Sequence, residues 1–422
     1  MSNRIEIIAK DYCTSVRDGT HNSPKQVKDG GRPLITTRNL KDGKIDFNKT
    51  YNISEEDFLD INKRSKVDKW DVLISMIGTV GEIHLVEKEP NFAIKNLGLL
   101  KVGNETDAKW LYYFLKSKIG KDQIKQLLQG STQQYISLKS LRNIKILVPS
   151  IKEEKEFIVK ILETIENKIE LNKKINLTLD EIAKTLFKSW FENFDPVKNK
   201  MQRKSTGLSK EIDNLFPDNL VKKIPKGWVM DKINYHCDIV YGAPFASKKF
   251  NEKFKGIPII RIRDLPSQKS KIFTEEKHPK GVLINKGDLL IGMDGEFRTH
   301  YWVSDEAWMN QRICKVVPKK NLSVSFLKNS LRKQLQYIEL TEVATTVIHL
   351  AKSDIDKFEL INEQRGVIKK YNEICKPLEE SIIKNSVENQ TLNKLKDLLL
   401  SKLISGKLKI FNLNTIVNNM SN

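Results

Sequence analysis

Cysteine is scarce in this chain. Cys13, Cys237, Cys314 and Cys375 are the only four in 422 residues. None stands at CxxC spacing, so a zinc cluster and a disulfide framework are both unsupported, and a reduced cytoplasm is the default location. Histidine is as sparse: positions 21, 84, 236, 278, 300 and 349 never form HxxxH or HExxH. There is no GxxxxGK[ST] phosphate loop, no GxGxxG turn and no GxSxG elbow. Phe194-Asp195-Pro196-Val197 lacks the second proline and the aromatic of an amino-methyltransferase loop, and no nuclease-type PD…(D/E)xK spacing stands out. No uncharged apolar run approaches the ~18 residues a membrane span needs. Met1-Ser2-Asn3-Arg4-Ile5-Glu6 shows no secretion signal. These absences predict a binding or organising subunit without catalysis of its own, bound cofactor or metal.

Acidic residues are also in short supply: 53 Asp and Glu face 73 Lys and Arg, a net charge of +20. Residues 1–149 carry +7 and residues 201–360 carry +9, whereas residues 150–200 are neutral and 361–422 carry +4. A surplus centred on two globular segments is the footprint expected for a polyanion such as DNA. A lysine-rich solvated surface would read the same way.

What is present is present twice. Trp70-Asp71-Val72-Leu73-Ile74-Ser75-Met76 returns as Gly287-Asp288-Leu289-Leu290-Ile291-Gly292-Met293, and Pro33–Leu40 returns as Pro258–Leu265. Gly81-Glu82 aligns with Gly295-Glu296, Asn172 with Asn385 and Leu179 with Leu392. The offset drifts early and is constant late. That predicts a loop-rich domain tolerant of insertions, followed by a helix of fixed length.

In residues 1–149 short apolar runs alternate with turn signals. Val72–Ile77, Leu97–Val102 and Ile144–Val148 read as strands, and Trp110–Leu115 as a helix opened by Thr106-Asp107. The fold class is α+β. From Ile151 to about Phe191 the pattern is one long helix. Ile158, Ile165, Asn172, Leu179 and Leu186 recur every seven residues, with Ile161, Ile175 and Ile182 three residues after. Tyr371, Leu378, Asn385, Leu392 and Leu399 repeat the frame in a second helix, which Gly406 stops. Pro377 inside it predicts a kink or a break. If the helices pack antiparallel, Asn172 and Asn385 lie near one level, where a polar pair fixes register. Ordinary core packing and a locally wet seam are the plainer readings. The division expected is residues 1–149, a first recognition domain; 150–196, the long central helix; 197–223, a linker; 224–360, a second recognition domain; 361–406, the C-terminal helical segment; and 407–422, a tail.

These residues resemble the specificity subunit of type I restriction-modification systems. The resemblance rests on Ile224-Pro225-Lys226-Gly227-Trp228, on Asn172-x-x-x-Asn176-x-x-Leu179-x-x-Ile182-Ala183-x-x-Leu186-Phe187-x-x-Trp190-Phe191 running into Phe194-Asp195-Pro196-Val197, on the Asp-Val/Leu-Leu-Ile of each half, and on Gly130-Ser131-Thr132-Gln133-Gln134-Tyr135-Ile136-Ser137. It covers nearly the whole chain. The first domain lacks the Ile-Pro-x-Gly-Trp opening, and Val343-Ala344-Thr345-Thr346-Val347-Ile348 stands where the second Ser-Thr-Gln-Gln pattern would be. The resemblance implies two tandem α/β target recognition domains separated by two long antiparallel coiled-coil helices, with pseudo-twofold symmetry. Each domain would read half of a split, asymmetric site on double-stranded DNA. The helices would measure the spacer and dock two modification subunits that methylate adenine with S-adenosylmethionine. Up to two restriction subunits that use ATP with Mg would join.

Major-groove readout favours Arg on guanine and Asn or Gln on adenine. Such residues stand in turn-like stretches: Arg17, Thr20, His21, Thr37, Arg38, Ser131, Thr132, Gln133 and Gln134 in the first domain, and Lys248, Lys249, Arg261, Arg263, Arg298, Thr299, His300 and Tyr301 in the second, with Asn310-Gln311 beside them. Each also reads as an ordinary solvated loop residue, and most that touch DNA would touch phosphate. The competing reading of the whole chain is a coiled-coil scaffold whose basic lobes bind acidic proteins. Salt-sensitive, sequence-selective DNA binding separates the two.

Overall fold

A computed structural model describes residues 4–41, 43–319, 322–341 and 348–408. It divides into two compact units, Met1–Lys168 with Leu392–Asn422, and Ile169–Thr391.

In the first unit the outer strand Arg4–Ile8 pairs antiparallel with Lys145–Pro149, so the domain's two ends meet. A four-stranded sheet follows in the order Ser15–Asp18, Leu97–Lys101, Val72–Ser75, Ile83–Leu85. Val72–Ser75 is buried throughout, in line with its Val-Leu-Ile run. A smaller sheet holds Arg32–Ile35 between Tyr51–Ile53 and Ala93–Ile94. Asn104 caps the helix Glu105–Lys116 by accepting from the Asp107 amide at 2.9 Å, two residues before the expected start signal.

The second unit repeats the plan. Val229–Lys232 pairs with Glu359–Asn362. The four-stranded sheet runs Cys237–Tyr241, Ile313–Pro318, Leu289–Gly292, Thr299–Tyr301. Asp71 and Asp288 prove equivalent down to their partners. Asp71 Oδ2 accepts from the Asp68 amide at 2.7 Å and Lys101 Nζ at 2.8 Å, and Asp288 Oδ2 accepts from the Asn285 amide at 2.7 Å and Lys315 Nζ at 2.8 Å. Both carboxylates pin the turn that launches the central strand, which is a structural role. Residues 197–223 carry two short helical stretches and bury Phe216.

Two long helices, α1 (Lys152–Phe187, continued by a π-helical turn Lys188–Asn193) and α2 (Val367–Ile404), take part in both units. Ile158 and Ile165 are buried, as are Leu162 and Ile169. The inward partner of each seam residue therefore lies four residues on, not three. The series Leu162, Ile169, Asn176, Ala183, Trp190 turns inward, while Ile175 and Ile182 are 38% and 48% exposed. In α2 Leu378, Asn385, Leu392 and Leu399 are half-buried along the same line. Both readings satisfy an average period of 3.5, and only the partner surface chooses between them. Pro377 sits inside α2, which continues past it as one helix. Pro377 is exposed, so its missing amide falls on the solvent side.

The asparagines form a reciprocal set within the second unit. Asn172 Nδ2 donates to Asn389 Oδ1 at 3.0 Å, and Asn385 Nδ2 donates to Asn176 Oδ1 at 2.9 Å. Asn389 Nδ2 reaches the Ile169 carbonyl at 3.3 Å, and Asn176 Nδ2 the equivalent Ile382 carbonyl at 3.2 Å. Antiparallel pairing of the two segments thus places Asn172 opposite Asn389, one turn beyond the expected Asn385. Replacing Asn389 alone by leucine should cost about 1–3 kcal/mol, because it removes one of the two acceptors of the buried Asn172 amide, which keeps only Glu388 Oε2 at 2.7 Å, and sets an apolar side chain against it. Replacing Asn172, Asn176, Asn385 and Asn389 together by leucine should give a more stable protein than the single variant, since both sides of the seam are then apolar and the buried Asn172 Oδ1, which has no partner among the described residues, is gone. Thermal unfolding of both variants checks this, and a quadruple variant less stable than the single one would refute it.

Candidate nucleic-acid interface

The register of the first four-stranded sheet brings separated loops to one end. Asp18 pairs with Gly98, and Leu97 with Ser75. Residues 19–21, 95–96 and 76–81 therefore emerge together. Thr20 bridges Lys95 in parallel, and the Lys95 amide donates to the Ile35 carbonyl at 2.8 Å. That contact sets the turn Thr37–Asn39 beside them. The Gly78 amide donates to the Gln134 carbonyl at 3.3 Å, which adds the exposed loop Ser131–Gln134 to the same rim. Thr20, His21, Thr37, Arg38 and Ser131 to Gln134 thus gather at one sheet end, although they span more than a hundred positions of chain.

The second unit builds the same rim. Ala243 bridges Asn310, the Asn310 amide donates to the Ile260 carbonyl at 3.1 Å, and the turn Ile262–Asp264 follows. Gly19 and Gly242 sit at matched points of closest approach. A Cβ on Gly19 would lie 2.4 Å from the Ile94 carbonyl oxygen, and one on Gly242 2.1 Å from that of Asn310. A methyl group at either site would push the strand end off its neighbour. The Gly295 amide donates to the Ile348 carbonyl at 2.9 Å, as Gly78 does to Gln134. Gly295 therefore answers Gly78, and the alignment of Gly81-Glu82 with Gly295-Glu296 slips by three residues. Val343 to Val347 lie outside the described residues.

Several predicted residues are held by the protein itself. Arg17 Nη1 donates to the Arg64 carbonyl at 2.7 Å and Nε to Ser15 Oγ at 2.9 Å. Lys249 pairs with Glu276 at 3.2 Å, and Arg261 Nε with Asp264 Oδ2 at 3.1 Å. Arg298 Nη1 binds both oxygens of Glu339, at 2.6 and 2.8 Å. Thr299, His300 and Tyr301 form a sheet-edge strand that runs away from the rim. Tyr301 packs on the core under the ammonium of Lys328, and burial pushes its phenol well above the ordinary range. Burial, together with Lys328 and Arg298, pushes the His300 imidazole down, which favours its neutral form. His21 is placed by Asp18 and Asn96, each at 2.9 Å. Arg38, Lys248 and Arg263 are exposed and make no hydrogen bond or ion pair with a described residue.

Lys95 and Asn96 are the rim residues that sequence reasoning missed. They adjoin Thr20 and His21 through strand pairing, and their signal was the equivalence with Asn310-Gln311, visible once Lys95 is matched to Asn310. Burial raises the thiols of Cys13, Cys237 and Cys314 to about 12, so none is poised as a nucleophile. Among the described residues no cluster of His, Cys, Asp and Glu could hold a metal ion, and no helix is long and apolar enough to cross a membrane.

A duplicated α+β domain with matched polar rims, joined to paired long helices, is the architecture of a tandem recognition protein. The chain belongs to the family described as "Type I restriction modification DNA specificity domain", which matches residues 11–181 and 225–362. It is 28% identical over 324 residues to the type I restriction enzyme MjaIX specificity subunit of Methanocaldococcus jannaschii, covering 72% of this chain and 69% of that one. It is 26% identical over 380 residues to the HindI specificity subunit of Haemophilus influenzae, covering 77% and 80%. The crystal structure of a type I restriction-modification S subunit from M. genitalium shares the fold, with a TM-score of 0.55 at 16% identity over 95% of this chain and 96% of that one.

Proposed function

We propose that this chain reads a split, asymmetric site on double-stranded DNA, one half with each recognition domain, as the specificity subunit of a type I restriction-modification complex. The observation that carries this reading is the rim built twice on one scaffold with different side chains: Lys95 against Asn310, His21 against Pro244, Thr37 against Ile262. Two copies of one reading surface with diverged contacts suit two different half-sites. The domain limits are about residues 1–149 and 224–362, a reading supported by the closing strand pairs Arg4–Ile8 with Lys145–Pro149 and Val229–Lys232 with Glu359–Asn362. The helices of residues 150–196 and 361–406 set the spacer and dock two modification subunits that use S-adenosylmethionine. Restriction subunits using ATP with Mg complete the complex in the cytoplasm. This chain contributes recognition and no chemistry.

Exchanging residues 229–362 for the matching segment of a relative should change one half of the methylated motif and leave the other half unchanged. These limits keep the closing pair Val229–Lys232 with Glu359–Asn362 intact. Methylome sequencing of a host expressing the chimera with its neighbouring methyltransferase checks this. Alteration of both halves would overturn the modular reading, and absence of any sequence-dependent methylation with the unaltered chain would overturn DNA recognition itself.

A further inference from the structure

Arg38 and Arg263 occupy one structural position in the two domains. Each is the middle residue of a three-residue 3-10 turn, Thr37–Asn39 and Ile262–Asp264. Each turn is locked by its third residue. Asn39 Oδ1 accepts from the Thr36 amide at 2.8 Å, and Asp264 Oδ2 from the Arg261 amide at 3.0 Å. Asn39 is 2% exposed and Asp264 8%, so the anchors are buried while the arginines are exposed. Each turn leaves a strand with a parallel partner in matched register, Ile35 on Ile94 and Ile260 on Met309. Neither guanidinium has a hydrogen-bonding or ionic partner among the described residues. The arginines flanking them differ: Arg32 is tied to Glu55 and Arg261 to Asp264.

We infer that Arg38 and Arg263 are a matched pair of phosphate clamps that set the docking of each domain on the duplex and carry no sequence information. The inference rests on the reading that both domains bind DNA. The surrounding rim has diverged in charge and shape between the domains, as base-reading positions must when two half-sites differ. A free arginine kept at the same point of both scaffolds needs a ligand present at the same point of both half-sites. The sugar-phosphate backbone is the part of DNA that does not change with sequence. Arginine suits it, since its planar fork binds phosphate oxygens in pairs and stays charged at any working pH.

The test uses the full chain with Arg38→Ala, Arg263→Ala, the double variant, and Arg38→Lys with Arg263→Lys. The probes are a labelled duplex carrying the motif found by methylome sequencing and a scrambled duplex of equal length, titrated over a range of salt. Each alanine variant should weaken binding by the same factor on both duplexes. Each should reduce the slope of log affinity against log salt by about 0.9, and the double variant by about twice that. The lysine variants should keep the slope, and the methylated motif should stay unchanged throughout. An unchanged slope, or a change in either half of the motif, overturns the inference. So does a loss roughly 5- to 150-fold greater on the motif duplex than on the scrambled one, the signature of a lost base contact. Failure of the broader reading looks different: the unaltered chain would then bind both duplexes equally.

Discussion

Trp228→Ala should destabilise the protein by about 3–5 kcal/mol, the range for deleting a large buried aromatic. Trp228 is 4% exposed, and its ring centroid lies 5.8 Å from that of Phe191, 5.9 Å from Phe194 and 6.3 Å from Phe216. The same cluster continues from Phe191 to Phe326 at 5.3 Å and to Tyr371 at 5.4 Å. One indole therefore sits where the end of α1, the 195–216 segment and the start of the second domain meet. Relaxation of the surrounding backbone does not refill so large a void, since the neighbours come from separate segments. Trp228→Phe should cost clearly less. It keeps most ring contacts and removes an indole N–H that is buried without a hydrogen-bond partner among the described residues. Chemical denaturation of the two variants reads the difference. A Trp228→Ala variant within about 0.5 kcal/mol of the parent would place it among ordinary surface changes and refute a packing role.

Arg4→Met should cost a similar amount, about 3–5 kcal/mol, through a different mechanism. Arg4 Nη1 pairs with Glu154 Oε1 at 2.9 Å, and both side chains are 6% exposed. Its Nε donates to the Ile404 carbonyl at 3.0 Å and its Nη2 to the Leu403 carbonyl at 2.5 Å. The guanidinium also lies 5.9 Å from the Trp110 ring. One residue of the first strand thus neutralises a carboxylate in the first turn of α1 and caps the last turn of α2. Helix-terminal carbonyls have no intrahelical donor, so they need one from elsewhere. Removing the arginine leaves Glu154 buried without its cation. Glu154→Gln added to Arg4→Met should recover part of the loss, because a neutral amide costs less to bury than an unpaired carboxylate. Equal stability of the single and double variants would show that the charge is not the cause.

The central strands and both long helices were legible because each is local, and the duplication because those local patterns occur twice. Val72–Ser75 announces itself by its Val-Leu-Ile run, and α1 by a seven-residue recurrence. The aromatic signature around Trp190 and Trp228 was legible as a motif, but its meaning was not. Its members are buried against Phe326 and Tyr371, which lie far along the chain. The rim was half legible. Turn chemistry singled out Thr37-Arg38 and Ser131 to Gln134, and the turns are there. Which arginines remain free for a ligand was not legible, since Arg17, Arg261 and Arg298 are bound by a carbonyl, an aspartate and a glutamate respectively.

The sequence by itself determined the repeat, the α+β class, the line of the helical seam and the places where polar loops interrupt strands. The class, the seam and the loops are written in spacings of two, three, four or seven residues, which backbone geometry converts directly into a face or a turn, and the repeat is the return of those same local patterns in the second half. The tertiary structure decided that the inward partner on α1 comes four residues later, that Asn172 meets Asn389, and that loops at residues 20, 38, 95 and 133 share one sheet end. The physical reason is distance along the chain. Asn172 and Asn389 are 217 residues apart. No local period carries information over that separation, so the choice falls to packing, where burying an unpaired amide or a mismatched face is what excludes the alternatives.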